Sequence, residues 1–204
     1  MMNHLVWSLY CLLAITATAL ASGGSITLFD SYANTSTPYT FTASTPNVGA
    51  IGGRVSSFVV TSGGWSLYSG YNYGGTKIPL HDKTEFGPGT YNFCTTTLCQ
   101  PYNDATLSVK LLSYKITLFD SYANHGTPHV FTGSTPNVGA IGGRVSSFVV
   151  TSGVWSLYSG YNYGGTKISL HGETEFGPGT YNFCTTTLCQ PFNDKTLSMK
   201  IVYN

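Results

Sequence analysis

The chain has 204 residues, and its nine basic and eight acidic residues give a formal net charge of +1. Only 8% of the residues are charged, against about 25% in ordinary soluble domains, so Ser, Thr, Asn and the Tyr hydroxyl must make the surface polar. The near-zero net charge and the few charged residues exclude the strongly basic surface that binds nucleic acids or anionic membranes.

The chain begins with an apolar run from Leu5 to Leu20, closed by the small-residue triplet Ala19-Leu20-Ala21. This layout is typical of a secretory signal peptide over residues 1–21. An uncleaved membrane anchor is the alternative, but the run is shorter than the roughly 20 apolar residues of a spanning helix. We therefore expect cleavage after Ala21 and a secreted, extracellular mature chain with no membrane span.

The remaining sequence is an internal duplication with a period of ninety residues. Residues 26–112 align with residues 116–202 without a gap and differ at only fourteen positions. The repeat predicts two domains, residues 22–112 and residues 116–204, joined by the linker 113–115. Because this linker is short and poor in Gly and Pro, the two domains should lie close together.

A two-residue alternation of apolar and polar side chains recurs through each copy. Such alternation is typical of half-buried strands, and clusters of Gly and Pro separate the segments that carry it. Outside the signal peptide the sequence has no long amphipathic helical pattern. Short strands with polar turns predict antiparallel sheets packed face to face. In the first copy the predicted strands are Ser25–Phe29, Ser57–Val60, Gly64–Tyr68, Thr76–Leu80 and Leu107–Leu111.

The cysteines form two identical Cys-x4-Cys pairs, one in each copy. The pairs are Cys94 with Cys99 and Cys184 with Cys189, whereas Cys11 lies in the predicted signal peptide. Because an exported chain meets an oxidising compartment, we expect two local disulfides. The alternative is a zinc site, which needs four convergent thiolates from the two domains.

One eight-residue segment carries a family signature in both copies. The run Tyr68-Ser-Gly-Tyr71-Asn-Tyr73-Gly-Gly75 resembles the aromatic-and-glycine corner of the βγ-crystallin Greek key, and residues 158–165 repeat it unchanged. The rings of Tyr68 and Tyr73 are expected to meet across a folded hairpin. Gly75 supplies the positive φ that the tight return requires.

The resemblance to βγ-crystallins extends over the rest of the mature chain. Ser57 and Ser108 resemble the serine that ties down the hairpin in this family. The first hairpin, residues 29–36, lacks the second aromatic residue and the glycine, although Gly126 restores the glycine in the second copy. The resemblance implies an all-β fold of two βγ-crystallin-like Greek-key β-sandwich domains after the signal peptide. A sandwich of the immunoglobulin type is the alternative.

Members of this family often bind calcium through two loops in each domain. The corresponding loops here are Gly52–Ser57 and Asn103–Ser108, and each keeps only half of the family pattern. The resemblance implies one site built from the Arg54 carbonyl, the Ser56 hydroxyl and the Asp104 carboxylate, which are oxygen ligands of the kind that Ca²⁺ binds. The corresponding site of the second domain would consist of Arg144, Ser146 and Asp194.

Each predicted calcium site has a single carboxylate and a cationic arginine. This composition predicts weak binding, with a dissociation constant of about 10⁻⁴–10⁻³ M. The alternative is that Asp104 and Asp194 only cap turns.

Candidates for catalysis are few, and the two copies disagree on them. His81 lies beside Asp82 and near Glu85, but Gly172 replaces the aspartate in the second copy, where His171, Glu173 and Glu175 remain. We therefore interpret these residues as surface turns and expect no enzyme. Separately, Asn34-Thr35-Ser36 is an acceptor triplet for N-glycosylation.

Two functional hypotheses follow from these patterns. The first is a structural extracellular protein of the βγ-crystallin type that binds calcium weakly. The second is a recognition module, either a carbohydrate-binding or an antimicrobial defence protein, that contacts extracellular glycans or matrix. In the second hypothesis sugars would stack on exposed Tyr71, Tyr73, Tyr161 and Tyr163. Two nearly identical domains would suit bivalent binding, but they suit a structural role equally well.

Overall fold

The computed structural model describes residues 23–185 and residues 187–204. The predicted signal peptide, its cleavage site and Cys11 lie outside the described residues. Within the described part, all helical turns are three-residue 3-10 turns. This part of the chain contains no helix with the length and hydrophobicity needed to cross a bilayer.

Twelve strands make up the regular structure of the described residues, six in each copy. The first copy has β1 (Ser25–Phe29), β2 (Tyr39–Phe41), β3 (Ser57–Ser62), β4 (Gly64–Tyr68), β5 (Gly89–Asn92) and β6 (Ser108–Leu112). The second copy has β7 (Lys115–Phe119), β8 (His129–Phe131), β9 (Ser147–Ser152), β10 (Val154–Tyr158), β11 (Gly179–Asn182) and β12 (Ser198–Val202). All pairings are antiparallel.

Each domain contains a four-stranded and a two-stranded sheet. In the first domain the orders are β2-β1-β3-β5 and β4-β6, and the second domain repeats both arrangements. Each domain divides into a first motif, with β1 to β3 in the first domain, and a second motif, with β4 to β6. Strand β5 of the second motif pairs with β3 of the first. In return, Thr45 of the first motif pairs with Val109 of β6. The two motifs of a domain therefore exchange segments, which brings loops distant in sequence next to each other.

The inward-facing side chains of the two sheets form one hydrophobic core in each domain. Trp65 and Phe58 are fully buried in the first domain, as are Trp155 and Phe148 in the second. The Phe58 ring stacks on Tyr91 with 4.8 Å between centroids. Burying aromatic side chains of this size contributes much of the stabilisation of a small domain.

The hairpin corners have the geometry that the family resemblance predicts. The Tyr68 and Tyr73 rings meet edge to face at 6.2 Å, and Gly75 has φ +69°. The Ser108 hydroxyl donates to the Gly70 carbonyl at 2.7 Å and accepts from the Tyr73 amide at 3.1 Å. Both the aromatic contact and the role of this serine are confirmed.

The first hairpin makes the same turn without the second tyrosine. Ala33 and Asn34 take left-handed backbone conformations, with φ of 61° and 59°. The Ser57 hydroxyl donates to the Ser31 carbonyl at 2.6 Å and accepts from the Asn34 amide at 3.2 Å. The serine bridge predicted at Ser57 is confirmed, and it holds the turn where the aromatic contact is missing.

The strand predictions are right in most places and wrong in one. The bounds of β1 and β4 agree with the sequence, whereas β6 begins one residue later than predicted and β2 and β5 were not predicted. The strand predicted at Thr76–Leu80 is wrong, because this segment forms only isolated bridges such as Tyr68 with Lys77. A tight turn follows at once, with Leu80 bonded to Lys83, and it turns the chain away before a ladder can extend.

The two domains contact each other directly. The Thr84 amide of the first domain donates to the Asn204 carbonyl of the second at 3.1 Å. Residues of both domains also line a cleft of about 630 Å³ beside this bond. The close approach agrees with the short linker.

Candidate functional site

Two loops lie side by side at one end of each domain. In the first domain these are the loop before β3 and the loop before β6. The Gly53 amide donates to the Thr106 carbonyl at 2.9 Å, and the Asp104 amide donates to the Val55 carbonyl at 3.1 Å. Gly53 and Asp104 have φ of 73° and 59°, conformations that Gly and Asp tolerate best. The loops are thus fixed against each other by backbone bonds.

The predicted ligands of the first domain come together across these loops. The Ser56 Oγ lies 3.2 Å from the Asp104 Oδ1, although the two residues are 48 positions apart in the sequence. In the second domain the Ser146 Oγ lies 3.3 Å from the Asp194 Oδ1. The exchange of segments between the motifs creates both pairs.

The backbone carbonyl and the guanidinium of Arg54 have different roles at the predicted site. The Arg54 carbonyl accepts no hydrogen bond from any described residue, which leaves its oxygen available as a ligand. Its guanidinium forms an ion pair with the Asp30 carboxylate. Arg144 and Asp120 form the equivalent pair at 2.7 Å. The sequence predicted an arginine charge that opposes calcium, but an aspartate partner offsets that charge in each domain.

Asp30, which pairs with Arg54, has a lowered pKa. A hydrogen bond with Ser36, followed by the hydrogen bond and charge of Arg54, lowers the pKa of Asp30 below its ordinary value. Asp30 therefore stays ionised at neutral pH and remains paired with the guanidinium. Sequence reasoning missed this partner because nothing in the pattern links two residues 24 positions apart.

An asparagine next to each aspartate adds a polar group that the sequence analysis did not select. The Asn103 Nδ2 donates to the Asp104 Oδ2 at 2.7 Å, and its Oδ1 is buried with no hydrogen-bond partner among the described residues. Asn193 repeats both features beside Asp194. A buried acceptor without a donor is unusual. The Asn-Asp sequence was the available signal.

The donor set of each loop pair fits a hard cation. It consists of a carbonyl, a hydroxyl and a carboxylate, with an amide oxygen nearby, and Ca²⁺ binds all of these. Two oxygens that share one calcium ion at 2.3–2.6 Å lie roughly 3–3.5 Å apart, and the Ser56 and Asp104 oxygens already have this separation. The described residues contain no group of three or more His, Cys, Asp or Glu side chains placed to hold a metal. Asp104 and Asp194 are the single carboxylates among the predicted ligands of their sites.

Both expected disulfides are present. Cys94 is bonded to Cys99 and Cys184 to Cys189. The zinc alternative is wrong, because these four sulfurs are not free thiolates. Leu98 and Leu188, each directly before a bonded cysteine, are exposed.

The residues considered for catalysis do not form an acid–base arrangement. His81 and Asp82 lie in an exposed turn with left-handed backbone. Glu85 accepts from the Lys77 ammonium at 3.0 Å and faces the Tyr114 hydroxyl. In the second copy His171 and Glu173 are likewise exposed, and Glu175 pairs with a lysine.

The four tyrosines of the recognition hypothesis divide into two kinds. Tyr71 and Tyr161 are 55% and 56% exposed. Tyr73 packs against Tyr68, and the Lys110 ammonium lies 5.8 Å from its ring centroid. Tyr163 has the same contacts. Of these four tyrosines, only Tyr71 and Tyr161 therefore have largely exposed rings.

The glycosylation acceptor lies in the first hairpin turn. Asn34 is half-buried, and its Oδ1 is buried without a hydrogen-bond partner among the described residues. In the second copy His125 and Gly126 replace the rest of the triplet.

Two Greek-key β-sandwich domains, with exchanged segments and an oxygen-lined loop pair in each, define the class of this protein. Residues 115–202 match the family model described as Beta/Gamma crystallin. The first copy has the same strand pairing and differs at only fourteen aligned positions. Residues 115–202 thus match the βγ-crystallin family, and the first copy repeats their sequence and strand pairing.

Solved structures with a similar fold include several βγ-crystallins. A βγ-crystallin from an archaeon is 22% identical, covers 45% of this chain and 100% of its own, and has a TM-score of 0.37. Geodin, a βγ-crystallin from Geodia cydonium, is 22% identical over 89% of this chain and 100% of its own, with a TM-score of 0.34. Protein S, solved in complex with calcium, is 15% identical over 88% of this chain and 99% of its own, with a TM-score of 0.33. The comparison with curated proteins gives no match.

Proposed function

We propose that this chain is a secreted, non-enzymatic structural protein of the βγ-crystallin type that binds one calcium ion weakly in each domain. Export follows from the sequence layout of residues 1–21, with cleavage after Ala21. The structural role is supported by two rigid cores, a disulfide in each domain and few charged side chains.

One observation carries the calcium proposal. The Ser56 hydroxyl and the Asp104 carboxylate meet at 3.2 Å, and the second domain repeats this contact. The Arg54 carbonyl, two residues before Ser56 in the chain, accepts no hydrogen bond from the described residues. The Ser56 proton now fills the space between the oxygens. A bound cation would replace this hydrogen bond with two coordination bonds and would draw the carboxylate charge to itself.

The affinity should be low. Calcium affinity rises with the number of charged ligands and with the rigidity of the site, and each site here has a single carboxylate. The Arg54–Asp30 pair offsets the arginine charge but adds no negative charge of its own. We expect a dissociation constant of about 10⁻⁴–10⁻³ M.

Calcium titration calorimetry and thermal unfolding of the mature chain test this function. A tenfold excess of calcium over the dissociation constant should add about 1.4 kcal/mol to each domain, which raises the melting temperature by several degrees. Asp104→Asn together with Asp194→Asn should abolish both the heat and the shift. Asn suits these positions because it tolerates the left-handed backbone.

A matched control is available in the exposed turn of the first domain. Asp82 has φ 63°, close to that of Asp104, so Asp82→Asn removes one charge from the same backbone conformation. This variant should bind calcium as the unmodified chain does. Absence of heat and of any rise in melting temperature at millimolar calcium would contradict the calcium proposal.

Carbohydrate recognition is a second candidate because the most exposed tyrosine rings, Tyr71 and Tyr161, lie at equivalent places in the two domains. Tyr71 and Tyr161 could stack on the apolar face of a sugar, and two sites on one chain would raise avidity. A glycan array would detect such binding, which should disappear in Tyr71→Ala with Tyr161→Ala. Tyr32→Ala, at another exposed tyrosine, is the control. Equal binding by all variants would contradict stacking at these rings.

A further inference from the structure

The contact between the domains is formed by tyrosines on one side and glycines on the other. Tyr114 lies in the predicted linker but packs in the core of the second domain. It meets Tyr203 edge to face with 5.7 Å between ring centroids. A Cβ added to Gly87 would lie 2.6 Å from Tyr203 Cζ. One added to Gly64 would lie 2.6 Å from Tyr114 Cε2 and 2.8 Å from Tyr203 Cε1. We call Gly64 and Gly87 the glycine face, and Tyr114 and Tyr203 the tyrosine face.

Two hydrogen bonds join the same surfaces across the domain boundary. The Thr84 amide of the first domain donates to the Asn204 carbonyl at 3.1 Å. The Tyr114 hydroxyl donates to Glu85 Oε2 at 3.5 Å. Among the described residues, no equivalent bond runs from Thr174 or Glu175 to the start of the first domain. The contact is therefore one-sided, with different surfaces of the two domains facing each other.

The duplicated sequence differs at these positions. A shift of ninety residues places Gly24 and Ser113 at the positions of Tyr114 and Tyr203. The same shift places Val154 at the position of Gly64. The first domain thus lacks the tyrosines, and the second lacks one of the glycines.

The surface of the second domain that corresponds to the glycine face is not covered by a tyrosine. Gly87 is buried against Tyr203, whereas its equivalent Gly177 is half-buried and would have nothing within 4 Å of an added Cβ. Lys83, near the contact, is replaced by Glu173. The outer surface of the second domain therefore has a valine and a reversed charge where the first domain accepts the tyrosines.

We propose that the two copies have diverged into non-equivalent halves of one docking contact, so that the glycine face of the first domain accepts only a domain with tyrosines at positions 114 and 203. The partner that fits is the second domain of the same chain, held nearby by the linker. A one-sided contact present on both domains would continue into an open head-to-tail array. The substitutions at Gly24, Ser113 and Val154 end the array at two domains.

Matched alanine substitutions in the full-length mature chain test this contact. Gly87→Ala should displace Tyr203, open the domain contact and speed hydrogen exchange of the Thr84 amide at least about tenfold. Gly177→Ala changes the same Phe-Gly-Pro-Gly sequence in the other copy and should leave the exchange of Thr84 unaltered. Small-angle scattering should show a larger radius of gyration for Gly87→Ala alone.

A double-mutant cycle separates a domain contact from a fault within the first domain. If Gly87→Ala acts through the tyrosine ring, it should have no further effect in a Tyr203→Ser background. The same logic applies to Gly64→Val, for which Val154→Gly is the reciprocal control. Additive effects of Gly87→Ala and Tyr203→Ser, or equal effects of Gly87→Ala and Gly177→Ala, would overturn the proposal.

Discussion

The paired loops around Asp104 and the domain contact around Tyr203 differ in how the duplication has treated them. The loops keep the same residues at the proposed ligand positions in both copies, and the distances agree, with 3.2 Å for Ser56 to Asp104 and 3.3 Å for Ser146 to Asp194. The domain contact depends on three positions where the copies differ, Gly64, Tyr114 and Tyr203. The proposed ligand loops, which lie within a single domain, are thus the same in both copies. The contact between the domains depends on residues that have diverged.

Twin substitutions in the shared core should give the largest and most equal effects. Phe58→Ala and Phe148→Ala each remove a fully buried ring and should lower the free energy of unfolding of their own domain by about 3–5 kcal/mol. Denaturant unfolding measures both. Because the ring contacts of the two phenylalanines match within 0.1 Å, a difference of more than about 1 kcal/mol between the twins would break the comparison.

Removing a disulfide should have a smaller effect that is again equal in the two domains. Cys94→Ser with Cys99→Ser opens a loop closed over a sequence separation of 5, for which chain entropy gives about 2 kcal/mol. The twin change at Cys184 and Cys189 should lower stability by the same amount. Chemical denaturation of the two double variants makes the comparison, and a clear inequality would show that the loops serve different roles.

The domain contact should weaken at alkaline pH. Burial, followed by the nearby Glu85 carboxylate and Tyr203, raises the pKa of Tyr114 above the usual 10.0. Below about pH 10 the tyrosine is protonated in the folded and the unfolded chain, so it adds no pH dependence. Above that pH the unfolded chain releases the proton while the folded chain retains it, and stability falls as pH rises.

Thermal unfolding between about pH 9 and pH 11 tests this alkaline loss. Tyr114→Phe should remove part of the decline, whereas Tyr71→Phe, at an exposed ring, should not. An identical pH dependence in the two variants would show that Tyr114 does not couple the domain contact to pH.

The smallest expected difference concerns a lysine–glutamate pair that both copies have. Glu85 pairs with Lys77 and is 25% exposed, whereas Glu175 pairs with Lys167 and is 46% exposed. Exposed pairs contribute at most about 1 kcal/mol, so both Glu85→Gln and Glu175→Gln should be mild. Glu85→Gln should have the larger effect, because Glu85 also faces Tyr114 across the domain contact. A larger effect at Glu175 would contradict this ranking.

Local features of the fold were predictable from the sequence. The Tyr68–Tyr73 contact and the Ser57 and Ser108 bridges each depend on a short motif whose spacing fixes the geometry. The strand predicted at Thr76–Leu80 was wrong because alternation alone does not reveal a turn that ends pairing after single bridges. Isolated bridges and full strands give the same two-residue pattern.

The candidate site was predictable only in part. Pairing of Ser56 with Asp104 followed from the family resemblance, since no local pattern joins residues so far apart. The Arg54–Asp30 ion pair depends on how the first hairpin folds over the loop, and the sequence contains no sign of it. The Tyr203–Gly87 contact depends on how the two domains are oriented. The short linker predicts that the domains lie close together, but it does not predict which surfaces meet.

The exchange of β5 into the sheet of the first motif has a consequence for how such a protein can be divided. A half-domain cut off near Gly63 would lack β5, which pairs with β3. The other half would lack Thr45, which forms a bridge with Val109 of β6. Each piece would therefore lose contacts that the other supplies. A single proteolytic nick at that turn should therefore leave the two fragments bound together, because each fragment contributes a segment that pairs with the other.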